Sequence, residues 1–452
     1  MTEQRTGDPE PENRIEEELV GGLPAALELP SHTVGKTPAA AAHASPWALR
    51  DFRIIAFGEG ASAVGDAVTF TALPLLVLAL TGSGTLLGVV AALQGLPDLV
   101  VGLPAGALAD RWDRRRMMIA ADLGRAVLTA LIPLSALVGI PTIAVIVAVV
   151  VPINVLRVLF MAAWTGAIPR LVGRELIGPA SSYMEAIFAI GFIVGPGVAG
   201  LLVSRIGAPA TLAIDAVSFV ISAVALLFVR TPLRAERTLG PQHLMADIRE
   251  GLTFVRDHRL LRVTLAYWGV VGILTAGLIP SLTFLIEAER RQGPDAFGLV
   301  ISAYSLGTLI GALVAARLTR GSLGRLLVGG GIVVGLVVVA LTLVVPAEAV
   351  AVLGFVAGIA NTLVLVSYVT IRASSTPDAL LGRVGATTRM ISIGLQPAGA
   401  AAAGILLDAV GGATTLRLMG VGLVVAALGA AFSASLRAAR GTGSAARDEV
   451  AA

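Results

Sequence analysis

Long apolar runs separated by short polar ones dominate the 452-residue chain. They fall near 54–80, 85–108, 116–139, 141–165, 181–204 and 209–229, then, after a polar gap, near 263–286, 297–319, 325–345, 348–371, 384–407 and 414–436. Each is close to the roughly 20 apolar residues a helix needs to cross a bilayer core. A lipid-exposed backbone must satisfy its own hydrogen bonds, so helices are the expected form. The pattern predicts twelve spans in an all-α integral membrane protein. Composition points the same way. The chain is 56% hydrophobic and 14% charged, whereas soluble domains run at about 45–50% apolar and about 25% charged.

The polar gaps alternate in charge. Arg111, Arg114, Arg115 and Arg116 follow the second run, Arg170 and Arg174 the fourth, and Arg230, Arg234, Arg237, Arg249, Arg256 and Arg259 the sixth. Arg317, Arg320 and Arg325 follow the eighth, Arg372 and Arg383 the tenth, and Arg437, Arg440 and Arg447 the twelfth. The other gaps hold only Arg205, Arg290, Arg291 and Arg417. Basic loops favour the cytoplasmic side, so both termini are expected inside a bacterial cytoplasmic membrane. The net charge of +3 is thereby explained as topology, and no nucleic-acid partner is implied. There is no cysteine, and the four histidines lie outside the spans without metal-ligand spacing. Disulfides and thiolate metal sites are therefore excluded, and a membrane enzyme has no Cys or His within the spans to work with. Lys36 is the only lysine, which suggests a high-GC genome.

The order of the runs divides the chain. Residues 1–47 are polar, with Glu16, Glu17 and Glu18, and read as a disordered cytoplasmic tail. Residues 48–230 form one six-helix bundle, 231–259 a linker, 260–437 a second six-helix bundle and 438–452 a short cytoplasmic tail. In the linker Leu244, Met245, Ile248, Leu252 and Val255 recur at helical spacing opposite Asp247, Arg249, Glu250 and Arg256, the pattern of an amphipathic helix on the membrane surface. The two bundles look like a duplication. FRIIA at 52 matches LRVTL at 261, Pro74 matches Pro280, GVVAAL at 88 matches GLVISAY at 298, and GAL at 106 recurs at 311. Parallel six-helix repeats characterise a large transporter class with its substrate site between the halves.

Between runs two and three stands GALADRWDRR, with six charges in the seven positions 110–116. With the twelve-helix pattern it resembles the loop motif of the major facilitator superfamily, matched by Gly106, Leu108, Asp110, Arg111, Arg114 and Arg115. Asp113 stands where that family usually has glycine. Gly65–Asp66 in the first run, Asp122 and Arg125 in the third, and Gly382–Arg383–Val384 are similar to the macrolide-efflux and enterobactin-exporter branch. The resemblance covers roughly residues 48–436. It implies the major facilitator fold, two six-helix pseudo-repeat bundles around a central cavity. It also implies that Gly106 allows close helix contact and that Asp110 latches the two halves at their cytoplasmic ends. A rival reading leaves these arginines to fix topology alone. GFIVGPGVAG (191–200) resembles the antiporter signature Gly-x-x-x-Gly-Pro-x-x-Gly-Gly at Gly191, Gly195, Pro196 and Gly200, with Ala199 as a departure. That signature marks exporters.

Charges inside the spans cost about 2.5–3.5 kcal/mol each on insertion scales and ask for a reason. Asp66 near mid-depth, Glu59 two turns away and Glu185 at the start of the fifth run are candidates to carry a coupled proton. Asp122, Arg125, Arg157 and Asp215 are candidates for intramembrane ion pairs, and Asp98 is a further inward-facing candidate. Gln94, Asn154, Tyr183, Phe188, Tyr267, Trp268, Tyr304, Asn361, Tyr368 and Gln396 are candidates to line the substrate cavity. No Gly-x-x-x-x-Gly-Lys-Ser/Thr loop is present, so a nucleotide is not the expected energy source. The expected protein is a monomeric, proton-driven exporter of a hydrophobic or amphiphilic small molecule, with no cofactor and with the bilayer as its solvent. An importer or lipid flippase of the same fold, and a non-transporting membrane receptor, remain as alternatives.

Overall fold

The computed structural model describes residues 45–234, 244–319 and 321–439. The expected tails, apart from residues 45–47 and 438–439, lie outside the described residues. So do the linker positions 235–243 and Arg320.

The first half comprises α1 (Arg50–Thr81), α2 (Gly84–Val100), α3 (Gly102–Ala109), α4 (Arg114–Val138), α5 (Thr142–Val172), α6 (Ile177–Ile206) and α7 (Ala208–Phe228). A linker helix α8 (Leu244–Asp257) leads to α9 (Arg259–Ala276), α10 (Leu278–Thr283) and a π-helical turn, Phe284–Glu289. Then follow α11 (Pro294–Leu318), α12 (Leu323–Leu341), α13 (Ala347–Ser374), α14 (Leu381–Gly394), α15 (Gln396–Ala431) and α16 (Ala434–Arg437).

Ten helical stretches among the described residues are long and apolar enough to cross a membrane. One of them, Asp378–Ala431, contains two passes. Gly411 adopts φ 80° and ψ 169°, a conformation open to glycine and strained for other residues. The chain turns back there, so that Ala403 before it and Met419 after it both lie against Gly277. The apolar α2 with its continuation α3 supplies another pass, and the passes add up to twelve.

Three passes are broken near the middle. α2 gives way to α3 at Val101, α9 to α10 at Gly277, and α14 to α15 at Leu395. In each, a proline two or three residues beyond the break (Pro104, Pro280, Pro397) lacks the N–H that would continue the helical ladder.

The two halves meet along two seams. Along α2, Gly88 lies against Ala400 and Gly404 and Gly95 against Pro397 on α15, and Leu99 against Gly394 at the end of α14. On α6 and α11, Gly298 lies against Pro196 and Gly200, and the Gly197 N–H donates to Ser302 Oγ at 2.9 Å. The tightest of these contacts lie at the end away from the arginine-rich loops. The end that carries those loops is called the basic end below, and the other the far end.

Each half has its own apolar core. Phe52, Met118, Phe160, Trp164 and Leu226 fill the basic end of the first half, and Leu73, Leu76, Ile146 and Leu212 its far end. Tyr267, Leu327, Val364, Tyr368 and Leu423 belong to the core of the second. The linker helix α8 rests on α14 and α9, with Val255 buried beside Leu261, Leu265 and Val384. The expected surface helix therefore lays part of its apolar face on protein.

Candidate functional site

Close approach of α1 and α7 builds the interior of the first half. Gly65 lies against Asp215 and Ser218, so that a larger residue there would collide with both. The approach brings three acidic side chains of α1 and α7 beside two charged residues of α4. Arg125, 2% exposed, pairs with Asp122, which is fully buried, and lies 3.8 Å from Asp66. Its guanidinium also sits 4.1 Å from the ring centroid of Phe219 and 4.9 Å from that of Phe160, a desolvated cation on two aromatic faces. Asp215 accepts from Thr69 at 2.5 Å and from Ser218 at 3.1 Å, and Glu59 accepts from Ser222 at 3.2 Å.

Of these acids, Glu59, Asp122 and Asp215 are buried. The Asp66 side chain is 34% exposed, the most accessible carboxylate of the cluster. Arg157 makes a separate pair. It bonds Asp98 on α2 and donates to Asn154 Oδ1 at 3.1 Å.

Phe70 lies one turn from Asp66 and so shares its face of α1. With Phe192 of α6, whose ring stands 5.9 Å away edge to face, it closes one side of a cavity of about 350 Å³ between the halves. The second half supplies the rest. Its walls are mostly aliphatic, and its polar centre is Asn361, whose amide donates to the Tyr304 hydroxyl at 3.0 Å. The arrangement can hold a largely apolar ligand with one oriented polar group.

Several sequence-predicted residues stand elsewhere. Tyr267 and Tyr368 are each 4% exposed and belong to the second half's core, Tyr368 stacked on Trp268 at 4.6 Å. Phe188 packs beside the first half's core. Tyr183 and Glu185 are exposed on α6, with Tyr183 edge-on to Trp47, and neither joins the charged cluster. Gln94 and Asn154 are partly buried and Gln396 is exposed, and none of the three lines the cavity. Phe70 and Phe192 were not anticipated, because a phenylalanine in an apolar run carries no signal of which way it faces.

The basic knot also differs from expectation. Asp110 pairs with Arg114 at 3.2 Å, and Arg114 donates to the Gly166 carbonyl at 2.7 Å. Arg115 donates to the carbonyls of Leu226 and Leu227 at the end of α7. These contacts stay within the first half, fastening the loop to α5 and α7 instead of to the opposite bundle. Arg111 is exposed, and Gly106 faces open space, so the close helix contact expected there is not made. Asp113 replaces the family's glycine as the N-cap of α4, accepting the Arg116 N–H at 3.1 Å. Arg115→Ala is expected to cost about 1–2 kcal/mol through the lost carbonyl bonds, read as a lower melting temperature in detergent. An unchanged melting temperature would remove Arg115 from the fastening of α7.

The glycine-rich motif at 191–200 on α6 divides between two neighbours. Gly191 lies against Ala63 and Gly195 against Ala67 on α1, while Pro196 and Gly200 face Gly298 on α11. The motif thus sits at one of the two seams. Among the described residues, no group of three His, Asp or Glu is placed to hold a metal ion.

Comparison with known proteins bears on this geometry. Residues 41–450 match the family described as transmembrane secretion effector. The chain is 31% identical over 397 residues to the multidrug efflux pump Tap of Mycolicibacterium fortuitum, an alignment covering 85% of this chain and 96% of that one. It is 30% identical to Tap of Mycobacterium tuberculosis (strain ATCC 25618 / H37Rv), covering 85% and 93%. It is 28% identical to macrolide efflux protein A of Streptococcus pyogenes, covering 59% and 66%. Among solved structures, the nucleoside transporter NupG superposes with a TM-score of 0.70 at 14% identity, over 85% of this chain and 98% of that one.

Proposed function

The chain belongs to the transmembrane secretion effector family of major facilitator transporters, and on that premise we propose that it is a proton-coupled exporter of a hydrophobic or amphiphilic small molecule. It is a multi-pass membrane transporter and not an enzyme. The observation that carries the coupling is the placement of Asp66. One face of α1 presents Asp66 to the charged cluster and Phe70 to the cavity, so protonation and ligand act on the same helix. Four carboxyl groups surround one guanidinium there, and an uncompensated charge in such a place is costly. The cluster is therefore suited to hold exchangeable protons.

Export is supported by relatives described as a multidrug efflux pump and a macrolide efflux protein and by the motif at 191–200 on the α6–α11 seam. With the basic loops cytoplasmic, the far end is the outer face, and the seams close the cavity on that side. The protein then takes its ligand from the cytoplasm or inner leaflet of a bacterial cell membrane, as a monomer with both termini inside. Asp110 latches the halves only in the alternate conformation, when the basic ends come together.

The test uses purified protein in liposomes with an imposed pH gradient and a pH-sensitive dye. Macrolides come first in the panel, followed by other amphiphilic antibiotics. Gradient collapse on adding particular compounds, absent from protein-free liposomes, is the expected outcome. Binding of those compounds without any collapse would point to a uniporter or flippase and reject proton coupling.

A further inference from the structure

Asp408 lies at the far end of the eleventh pass, three residues before the chain turns back at Gly411. Its carboxylate reaches the other half. Gly84 N–H donates to Oδ1 at 2.6 Å, Thr85 N–H to Oδ2 at 2.9 Å, and the Ser83 hydroxyl to Oδ2 at 3.0 Å. Gly84 and Thr85 begin α2. Amides in the first turn of a helix have no partner within it, and the helix dipole adds positive charge there. Ser83 also caps α2 from within its own half, accepting the Leu86 N–H at 3.3 Å. The start of α2 is thus capped twice, once by its own chain and once by the opposite bundle.

Below this cap the α2–α15 seam is tight, with Gly88 against Gly404. A further hydrogen bond across the halves, Gly197 to Ser302, is between neutral groups. Among the described residues no salt bridge joins the halves, and Asp408 is a charged side chain whose hydrogen bonds cross from one half to the other. Glu289 makes a similar cap on the amides of Gly412 and Ala413, but wholly within the second half.

We propose that Asp408 is the far-end latch of the transport cycle, a positioning residue whose hold on the start of α2 sets the balance between this conformation and one open at the far end. A contact made in one conformer and lost in the other shifts their populations by its own differential free energy. Opening the far end parts α2 from α15 and separates the three donors from the carboxylate, which is exposed already in this conformation. The charge is essential, because a neutral amide of the same shape responds more weakly to the helix dipole. The inference does not depend on the transport direction or on the driving ion.

The chain has no cysteine, so paired cysteines introduced for spin labels are unique. One pair, Ile140 and Leu343, spans the far end at exposed positions, and a second, Glu175 and Leu318, spans the basic end. Distances are measured by double electron–electron resonance in lipid nanodiscs without substrate. Wild type is expected to populate mainly the short far-end distance. Asp408→Asn is expected to raise the ratio of open to closed far ends about two- to thirtyfold, the range of losing a helix cap, with the basic-end distance shortening in step. Ser83→Ala, which removes one of the three donors, moves the ratio the same way by less. Glu289→Gln lowers the melting temperature and leaves the ratio alone. An unchanged ratio in folded Asp408→Asn overturns the latch; if that variant does not fold, an unchanged ratio in Ser83→Ala does so. An equal shift from Glu289→Gln overturns it as well, since any loosened cap would then suffice. Because no substrate or pH gradient enters this readout, failure of the latch and failure of the exporter reading are told apart.

Discussion

Arg125→Leu is expected to destabilise the protein more than any other single change in the interior. The guanidinium is the cation of the α1–α4–α7 cluster, 2% exposed, with the fully buried Asp122 beside it and Asp66 3.8 Å away. Removing one partner of a buried pair leaves an uncompensated charge and costs about 3–5 kcal/mol, a large part of a typical folding margin of about 5–15 kcal/mol. The two cation–π contacts to Phe160 and Phe219 are lost as well. A fall of roughly 5–15 °C in the melting temperature in detergent is expected. Arg125→Leu combined with Asp122→Asn should recover much of the loss, because replacing both members of a buried pair is often near neutral. A single variant as stable as wild type would show that the pair carries no structural load. Failure of the double variant to recover would shift that load to the aromatic contacts.

How much of this was legible in the sequence follows from what each residue type can signal. The passes were legible because crossing a bilayer sets a length, and the observed helices begin and end within a few residues of the apolar runs, apart from a longer extension of α5 at the basic end to Val172. The breaks at Val101, Gly277 and Leu395 have a sequence cause in the prolines that follow them. Helix rotation was not legible. A helix that is apolar all round has no polar face to orient it, so nothing told Tyr267 and Tyr368, which turn into the core, from Tyr304, which turns to the cavity. Partners distant in sequence were hidden for the same reason. Arg157 was visible as a charge in an apolar run, but its pairing with Asp98, 59 residues earlier, depends on how α2 and α5 face each other.

The ends of the passes misled in opposite ways. The knot at 110–116 looked like a bridge between halves, and its described contacts hold one half together. Asp408 belongs to no motif in the sequence that would single it out, and it bonds across the seam. One physical fact explains both. A two-bundle transporter has alternative sets of contacts between its halves, and one structure holds one of them. The contacts at the far end are formed here, and those described for the knot stay within the first half.

Asp66→Asn is expected to end proton-driven accumulation while leaving the fold intact. Asp66 is the cluster's exposed carboxylate, and Arg125 keeps Asp122 as its closer partner when Asp66 becomes neutral, so little stability is at stake. The amide has nearly the same shape and still accepts a hydrogen bond, but it cannot take up and release a proton. One proton moved across 100 mV supplies about 2.3 kcal/mol, enough to sustain about a fiftyfold substrate gradient. In liposomes under such a driving force, wild type should approach that ratio and Asp66→Asn should fall to unity. Exchange of labelled for unlabelled substrate without a gradient should continue, since the Tyr304–Asn361 pair and the walls of the cavity are untouched. Loss of exchange as well would mean that Asp66 binds substrate and not only the proton. A retained gradient in Asp66→Asn, lost instead in Glu59→Gln, would move the proton site two turns along α1 to the carboxyl group held by Ser222. A gradient lost only in Glu185→Gln would place it outside the cluster altogether, on the exposed face of α6 at the basic end, where a proton needs no path through the first half.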